Sequence, residues 1–99
     1  MRQLDRKRIR ARYGPWALVA GASEGIGRAF SEQLAAAGLN VVLTARREGP
    51  LTSLATELEQ RFGIHAHPVA IDLARPDLDT AIRTAVGDRD IGLLVYNAC

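Results

Sequence analysis

Apolar residues along the chain follow two periodicities, one typical of buried strands and one typical of helices. Four short apolar runs predict strands, because a strand covered on both faces of a parallel sheet is apolar throughout. The predicted strands are residues 16–20, 40–44, about 65–71 and 91–96. Pro68 indicates that the third strand lies at a sheet edge, since proline cannot donate to the hydrogen-bond ladder.

Between these runs, apolar residues recur at every third or fourth position, which predicts three amphipathic helices. The predicted inner faces are Ile26, Phe30, Leu34 and Ala37 in the first helix, Leu51, Leu54, Leu58 and Phe62 in the second, and Leu78, Ala81, Ile82, Ala85 and Val86 in the third. Gly49-Pro50 opens the second helix, where a missing N–H is tolerated. Asp77 is placed to cap the third helix with its carboxylate.

The order β-α-β-α-β-α-β with short connections predicts an α/β fold, a doubly wound parallel sheet with helices on its faces. The 99 residues suit one small domain or part of one, and we find no internal repeat. We assign residues 13–99 to this domain and residues 1–12 to a tail.

Charge is distributed unevenly along the chain. Residues 1–12 contain six basic residues and one acidic residue, a net charge of +5, whereas the other residues carry −3 and the whole chain +2. A basic tail can indicate nucleic acid or an anionic membrane surface, but we favour a solvated leader and expect no nucleic-acid partner. No apolar run approaches the roughly 18 residues of a membrane span. The single cysteine, Cys99, excludes an internal disulfide framework and favours the cytoplasm.

A glycine-rich turn between the first strand and the first helix is the strongest chemical signal. Gly21 allows the chain to leave the strand sharply, Gly25 leaves room for a diphosphate near the backbone, and Gly27 allows close packing of helix on strand. The amino end of the helix then offers free N–H groups and partial positive charge to the phosphates. A glycine-rich turn without a ligand is the alternative, and the strand–turn–helix context argues against it.

Three segments in order resemble the short-chain dehydrogenase/reductase family over residues 14–99. Residues 20–27, AGASEGIG, resemble its T-G-x-x-x-G-I-G cofactor motif, which includes Ser23 and Ile26. Asp72-Leu73 resembles its D-[LV] pair, and residues 94–98, LVYNA, resemble L-V-N-N-A at the end of the fourth strand. The resemblance implies a Rossmann-type fold, with Asp72 near the adenine ring and the backbone at Asn97 and Ala98 near the adenine-side ribose.

The chain departs from the family pattern at three positions. Ala20 replaces a threonine whose hydroxyl tethers the turn, Tyr96 replaces the first asparagine, and Cys99 stands where glycine is expected. The family's catalytic Tyr-x-x-x-Lys pair is also absent, and Lys7 is the only lysine. We therefore identify no catalytic residue, and we expect an amino-terminal part of a longer enzyme, cut after the fourth strand, that binds cofactor weakly or not at all.

The residues after the second strand favour NADP(H) over NAD(H). An NAD-preferring site places a carboxylate there for the ribose 2′-hydroxyl, whereas an NADP site supplies arginine. This chain has Ala45 followed by Arg46 and Arg47, and a guanidinium can bind a 2′-phosphate through two hydrogen bonds. Ser23 is near enough in family geometry to add a hydroxyl contact. The alternative is that both arginines are solvated loop charges.

By resemblance, the complete enzyme transfers a hydride between NADP(H) and a carbonyl or alcohol and forms a homo-oligomer. Residues 13–17, 38–43 and 90–95 are similar to the branch that holds 3-oxoacyl-CoA reductases and 17-beta-hydroxysteroid dehydrogenases. Two other classes stay open: a non-catalytic dinucleotide-binding or regulatory protein on the same fold, and a nonfunctional truncated gene product.

Four other polar or aromatic residues are assigned structural roles. His65 and His67 alternate on a strand without a third ligand at metal-like spacing, so we predict no metal site. Arg28 lies in the first helical turn, where it could face phosphate, but we favour a surface role. Trp16 is expected to anchor the start of the sheet.

Overall fold

The computed structural model describes residues 14–22 and 25–96, and these form a four-stranded parallel sheet with three helices. The elements in chain order are β1 Trp16–Ala20, α1 Gly25–Ala36, β2 Asn40–Ala45, α2 Glu48–Phe62, β3 Ala66–Ala70, α3 Leu78–Val86 and β4 Ile91–Tyr96. The strand order is β3-β2-β1-β4, and every pair is parallel. The predicted fold class and the order of elements are therefore confirmed.

Two apolar clusters form the core, one on each face of the sheet. Helices α1 and α2 cover the first face, where Leu51, Leu54 and Leu58 are fully buried. Helix α3 covers the second face, where Leu18 and Val42 pack beneath it. Because helices cover both faces, the central strands are mostly apolar, and all six residues of β2 are buried, including the polar Asn40 and Thr44.

The edge position predicted from Pro68 is confirmed. Pro68 lies in β3 opposite Leu43, and β3 is the outermost strand beyond β2. The second helix also follows its prediction, because its leucine stripe is buried and Gly63 closes it in the left-handed conformation.

The predicted inner face of the first helix is wrong at two of its four positions. Leu34 and Ala37 are buried, but Ile26 is 63% exposed and Phe30 is 43% exposed. The buried face of α1 instead includes Gly27 and Ser31. Gly27 approaches the backbone of the preceding turn so closely that it, and not Ile26, faces the sheet.

The predicted side-chain cap of the third helix is also wrong. Asp77 holds the N-cap position of α3 but makes no capping hydrogen bond. Its carboxylate instead accepts from the guanidinium of Arg75 at 2.8 Å, and this bond lowers the pKa of Asp77. An ion pair two residues away has therefore replaced the cap.

Candidate functional site

The turn after β1 is held to β2 by its backbone. Gly21 has a φ of 82°, in the left-handed region that favours glycine, and the chain leaves the strand there. The N–H groups of Gly21 and Ala22 both donate to the carbonyl oxygen of Thr44, at 2.8 and 2.9 Å. These two N–H groups are therefore already bonded, and among the described residues of this segment the donors left for a ligand are those of the first turn of α1.

Helix α1 approaches this turn at a distance that only glycine permits. A Cβ on Gly27 would lie 1.9 Å from the carbonyl oxygen of Gly21 and 3.2 Å from the Cα of Ala22. A Cβ on Gly25 would meet nothing within 4 Å, although its φ of 57° favours glycine. The space above Gly25 is open, as a cradle for a diphosphate requires. Ser23 and Glu24 lie outside the described residues.

The first turn of α1, among the residues that the structure describes, contains no acidic residue that would neutralise the partial positive charge of the helix. The one cation of that turn, Arg28, donates to Glu57 at 3.0 and 3.3 Å. The surface role predicted for Arg28 is confirmed, because Glu57 holds its guanidinium against α2.

Arg28 belongs to a group of four charges that joins α1 to α2. Arg61 donates to Glu32 and to Glu57, each at 3.0 Å, and Arg28 lies 3.9 Å from Glu32. The hydrogen bond from Arg61 lowers the pKa of Glu57, and Arg28 lowers it further. Positive and negative side chains alternate around the group, and their ion pairs link α1, the helix at the candidate site, to α2.

Arg46 and Arg47 follow β2 directly and are exposed. Within residues 14–22 and 25–96, neither guanidinium takes part in an ion pair. Arg46 comes two residues after Thr44, whose carbonyl holds the glycine turn. The structure therefore brings this cation to the same edge of the sheet as the turn.

Asp72 and Leu73 reach this edge through a backbone bond. The N–H of Ile71 donates to the carbonyl of Ala45 at 2.9 Å, which ties the end of β3 to the end of β2. Asp72 is exposed, and its Oδ1 accepts the N–H of Ala74 at 2.9 Å, while Leu73 packs partly into the second core. The carboxyl ends of three parallel strands thus converge, which is where doubly wound sheets bind ligands.

The end of the fourth strand completes this edge. Tyr96 pairs with Ala20, so β4 ends beside the strand that leads into the glycine turn. Asn97 and Ala98, assigned above to the ribose side, lie outside the described residues, as do Cys99 and the basic tail.

His67 and Trp16 both lie close to Arg89. Burial lowers the pKa of His67, and the positive charge of Arg89 lowers it further. The guanidinium of Arg89 also stacks on the Trp16 ring, 5.0 Å from its centroid, at the start of β1. In the part of the chain that the structure describes, no cluster of three or more His, Cys, Asp or Glu could hold a metal ion, and no helix is long and apolar enough to cross a membrane.

Thr44 is the functional residue that the sequence did not single out. Its side chain is fully buried, and its hydroxyl finds no hydrogen-bond partner in the described structure. Its carbonyl nevertheless anchors the turn, although the sequence predicted a weaker tether because Ala20 lacks a hydroxyl. A lone threonine in an apolar strand was the only available signal.

Comparison with known proteins gives a consistent result. The family model described as short chain dehydrogenase matches residues 15–99. The 7beta-hydroxysteroid dehydrogenase of Collinsella aerofaciens is 40% identical over 91 residues, covering 92% of this chain and 35% of the relative. The very-long-chain 3-oxoacyl-CoA reductase of Laccaria bicolor is 42% identical over 93 residues, covering 92% of this chain and 28% of the relative. The inactive hydroxysteroid dehydrogenase-like protein 1 of Pongo abelii is 40% identical over 86 residues, covering 86% and 26%.

Solved structures agree with these relatives. A 7beta-hydroxysteroid dehydrogenase structure superposes with a TM-score of 0.88 at 40% identity, covering 92% of this chain and 35% of that one. The L-sorbose reductase of Gluconobacter frateurii, solved with NADPH and L-sorbose, gives a TM-score of 0.81 at 34% identity, covering 89% and 34%. The chain thus spans about a quarter to a third of the length of these relatives and solved structures.

Proposed function

The chain belongs to the short-chain dehydrogenase family, and on that premise we propose that it forms the NADP(H)-binding part of an oxidoreductase. The proposal assigns residues 13–99 to a partial dinucleotide-binding domain and residues 1–12 to a basic tail. The observation that carries it is the approach of α1 to the turn after β1, where the backbone leaves no room for a Cβ on Gly27.

The residues present fit a dinucleotide diphosphate. The open space above Gly25 admits phosphate oxygens close to the backbone, and the N–H groups of the first turn of α1 supply the donors. Gly21 and Gly27 shape the turn and the helix approach. Ile26 lies in the same turn and is exposed, so its backbone and side chain are free to meet the cofactor. Ser23 supplies a hydroxyl in this proposal.

The adenosine end of the cofactor is assigned to the residues that follow β2, β3 and β4. Arg46 and Arg47 bind the 2′-phosphate, which favours NADP(H) over NAD(H), and the exposure of both guanidiniums supports this assignment. Asp72 and Leu73 contact the adenine ring. Asn97 and Ala98 lie near the ribose.

The chemistry of the whole protein is a further step of the proposal. NADP(H) supplies or accepts a hydride, and the substrate is a carbonyl or alcohol compound, with steroids and 3-oxoacyl-CoA thioesters suggested by the relatives. The 99 residues contain no Tyr-x-x-x-Lys pair, so they contribute binding and orientation of the cofactor and no proton transfer. We propose a cytoplasmic homo-oligomer, for which the single cysteine supports the reducing compartment.

Thermal melting of the full gene product with and without cofactor tests the binding proposal. A ligand at ten times its dissociation constant stabilises the folded state by about 1.4 kcal/mol, so NADPH should raise the midpoint by several degrees. NADH should raise it less. Arg46→Ala should reduce the advantage of NADPH while leaving the smaller NADH shift in place, because one of the two guanidiniums assigned to the 2′-phosphate is lost.

Arg83→Ala is the matched control for this experiment. Arg83 is an exposed arginine of α3 that pairs with Asp79 at 3.3 Å, away from the carboxyl ends of the strands. The control should retain the NADPH shift. Equal losses for the two cofactors in Arg46→Ala would refute the NADP(H) assignment, and no shift with either cofactor in the unaltered full gene product would refute dinucleotide binding.

A non-catalytic dinucleotide-binding protein is the second candidate. One relative at 40% identity is named as inactive, so similarity at this level does not by itself imply catalysis. Both candidates bind NADPH, and turnover separates them. Oxidation of NADPH by a panel of steroid and 3-oxoacyl-CoA ketones, followed at 340 nm with the full gene product, favours the enzyme, whereas binding without turnover favours the second candidate.

A further inference from the structure

A cavity of about 420 Å³ lies between β3 and α3, at the opposite edge of the sheet from β4. Alternate residues on and just after β3 line one side of it, because successive side chains of a strand point to opposite faces. They are His67, Val69 and Ile71. The volume falls in the range of roughly 300–1,000 Å³ that small-molecule sites occupy. We call this space the β3–α3 cavity.

Small side chains on α3 leave the cavity open. Ala81 and Ala85 line it, and each side chain ends at its Cβ, so a longer side chain at either position would take up part of the space. Together with Val69 and Ile71, the two alanines form an apolar surface that belongs to the second core. This surface suits the carbon frame of a ligand, since apolar area removed from water is stabilising.

Polar groups stand beside the apolar surface. The side chain of His67 is half-buried, and burial lowers its pKa, so the imidazole is neutral at pH 7 and offers one donor and one acceptor. The hydroxyl of Thr84 donates to the carbonyl of Thr80 at 2.9 Å, which leaves the lone pairs of its oxygen to accept. A few polar groups on an apolar surface are the usual composition of a small-molecule site.

The charges that line the cavity are paired with each other. The guanidinium of Arg75 donates to both carboxylate oxygens of Asp77, one of them at 2.8 Å. This pairing raises the pKa of Arg75 and lowers that of Asp77, so both stay charged and balance. A charged ligand would leave water without a free counter-charge among the lining residues, which is costly. An uncharged ligand is therefore favoured.

We propose that the β3–α3 cavity binds a small uncharged alcohol or ketone with an apolar carbon frame. The frame packs on the apolar surface, and the hydroxyl or carbonyl group forms a hydrogen bond with His67 or Thr84. Strand β2 lies between β3 and β1, the strand that leads into the glycine turn, so this site is separate from that turn. The inference does not depend on NADP(H) binding.

Photolabelling of the full gene product tests the proposal. The probe is cyclohexanol carrying a diazirine, which on irradiation reacts with the residues that surround it. Mass spectrometry of proteolytic peptides should locate saturable labelling in residues 66–71 and 78–86. Excess cyclohexanol should suppress this labelling. Cyclohexanecarboxylate and cyclohexylammonium should compete at least tenfold less well, because each carries a charge on the same carbon frame.

Ala81→Leu and Ala36→Leu form a matched pair of variants. Each adds the same isopropyl group to a helix, but Ala81 lines the cavity, whereas Ala36 is exposed at the end of α1. Ala81→Leu should reduce the labelling of residues 66–71 and 78–86 at least tenfold, and Ala36→Leu should leave it unchanged. Thr84→Leu, at an exposed position that also lines the cavity, should reduce it as well. This variant keeps the test valid if Ala81→Leu lowers the unfolding midpoint.

Several results would overturn the proposal. They are labelling of these peptides that does not saturate, charged analogues that compete as well as cyclohexanol, and labelling that neither Ala81→Leu nor Thr84→Leu reduces. Displacement of the probe by NADPH would also overturn it, because the cavity would then belong to the cofactor site. Labelling requires no cofactor, so its failure is distinct from a failure of dinucleotide binding, which the melting experiment measures.

Discussion

Replacement of Gly27 by alanine tests the geometry on which the candidate site depends. The added Cβ would lie 1.9 Å from the carbonyl oxygen of Gly21, whereas real Cβ atoms keep at least 3.0 Å from such neighbours, so helix and turn must separate by about 1.1 Å. Neither side can yield easily. The N–H of Gly21 is bonded to Thr44 at 2.8 Å, and the hydroxyl of Ser31 donates to the carbonyl of Gly27 at 2.8 Å.

The magnitude follows from two opposing effects. Overpacking a well-packed site costs about 1–3 kcal/mol, and a clash between two backbone segments belongs at the upper end. Alanine in place of glycine within a helix raises the free energy of unfolding by about 0.5–1 kcal/mol. We therefore expect Gly27→Ala to lower the free energy of unfolding by about 2 kcal/mol, which corresponds to a fall of about 8–16 °C in melting temperature for a domain of this size.

Gly49→Ala is the matched control, because it makes the same substitution in the first turn of α2. A Cβ on Gly49 meets nothing within 4 Å, so only the helical gain remains and the variant should be more stable than the parent. Urea denaturation followed by far-UV circular dichroism measures both variants. If Gly27→Ala is as stable as the parent chain, or shifts in the same direction as Gly49→Ala, the close approach of α1 to the turn is refuted.

Three further predictions concern single side chains. Thr44→Val should stabilise the chain by about 1 kcal/mol in urea denaturation, because it removes a buried hydroxyl without a partner, whereas Thr84→Val should change little. Glu57→Gln should reduce stability slightly at neutral pH, and less at 1 M salt, which screens the ion pairs of Glu57 with Arg28 and Arg61. The parent should lose the stabilisation from these ion pairs as the pH falls through the lowered pKa of Glu57. Equal stability of parent and variant at pH 7 and low salt would contradict the prediction. His67→Gln should reduce the loss of stability between pH 7.5 and 5.5. The pKa of His67 is lowered in the folded state, so the unfolded chain binds the proton first as the pH falls. Melting temperatures that fall equally with pH in parent and variant would contradict this.

Periodicity and glycine placement were sufficient to predict most of the fold. The buried strands could be read from β-type apolar runs, and Pro68 identified the edge strand, because both signals are local consequences of hydrogen bonding and burial. The role of Gly27 was also predictable. A helix that must lie against a preceding turn requires glycine at the point of closest approach, and the sequence places one there.

Interactions between distant side chains could not be predicted in the same way. Arg28 and Glu57 are 29 positions apart, and only the packing of α1 on α2 brings them to 3.0 Å. The exposure of Ile26 and Phe30 has the same origin, since helical periodicity identifies an apolar face but not which element covers it. Asp77 had the right type and position for a cap, but a neighbouring arginine competed for its carboxylate.

The end of β2 organises the candidate site through its backbone. The carbonyl of Thr44 holds the glycine turn, the carbonyl of Ala45 holds the segment that leads to Asp72, and Arg46 comes next in the chain. The missing hydroxyl at Ala20 therefore matters little to the shape of the turn. In this arrangement the backbone of β2 fixes the shape of the glycine turn, whereas the side chain of Arg46 is assigned to the choice between NADPH and NADH. Changes that move the turn should weaken every dinucleotide alike, whereas a change at Arg46 should alter only the choice between NADPH and NADH, so the two parts of the proposal can fail independently.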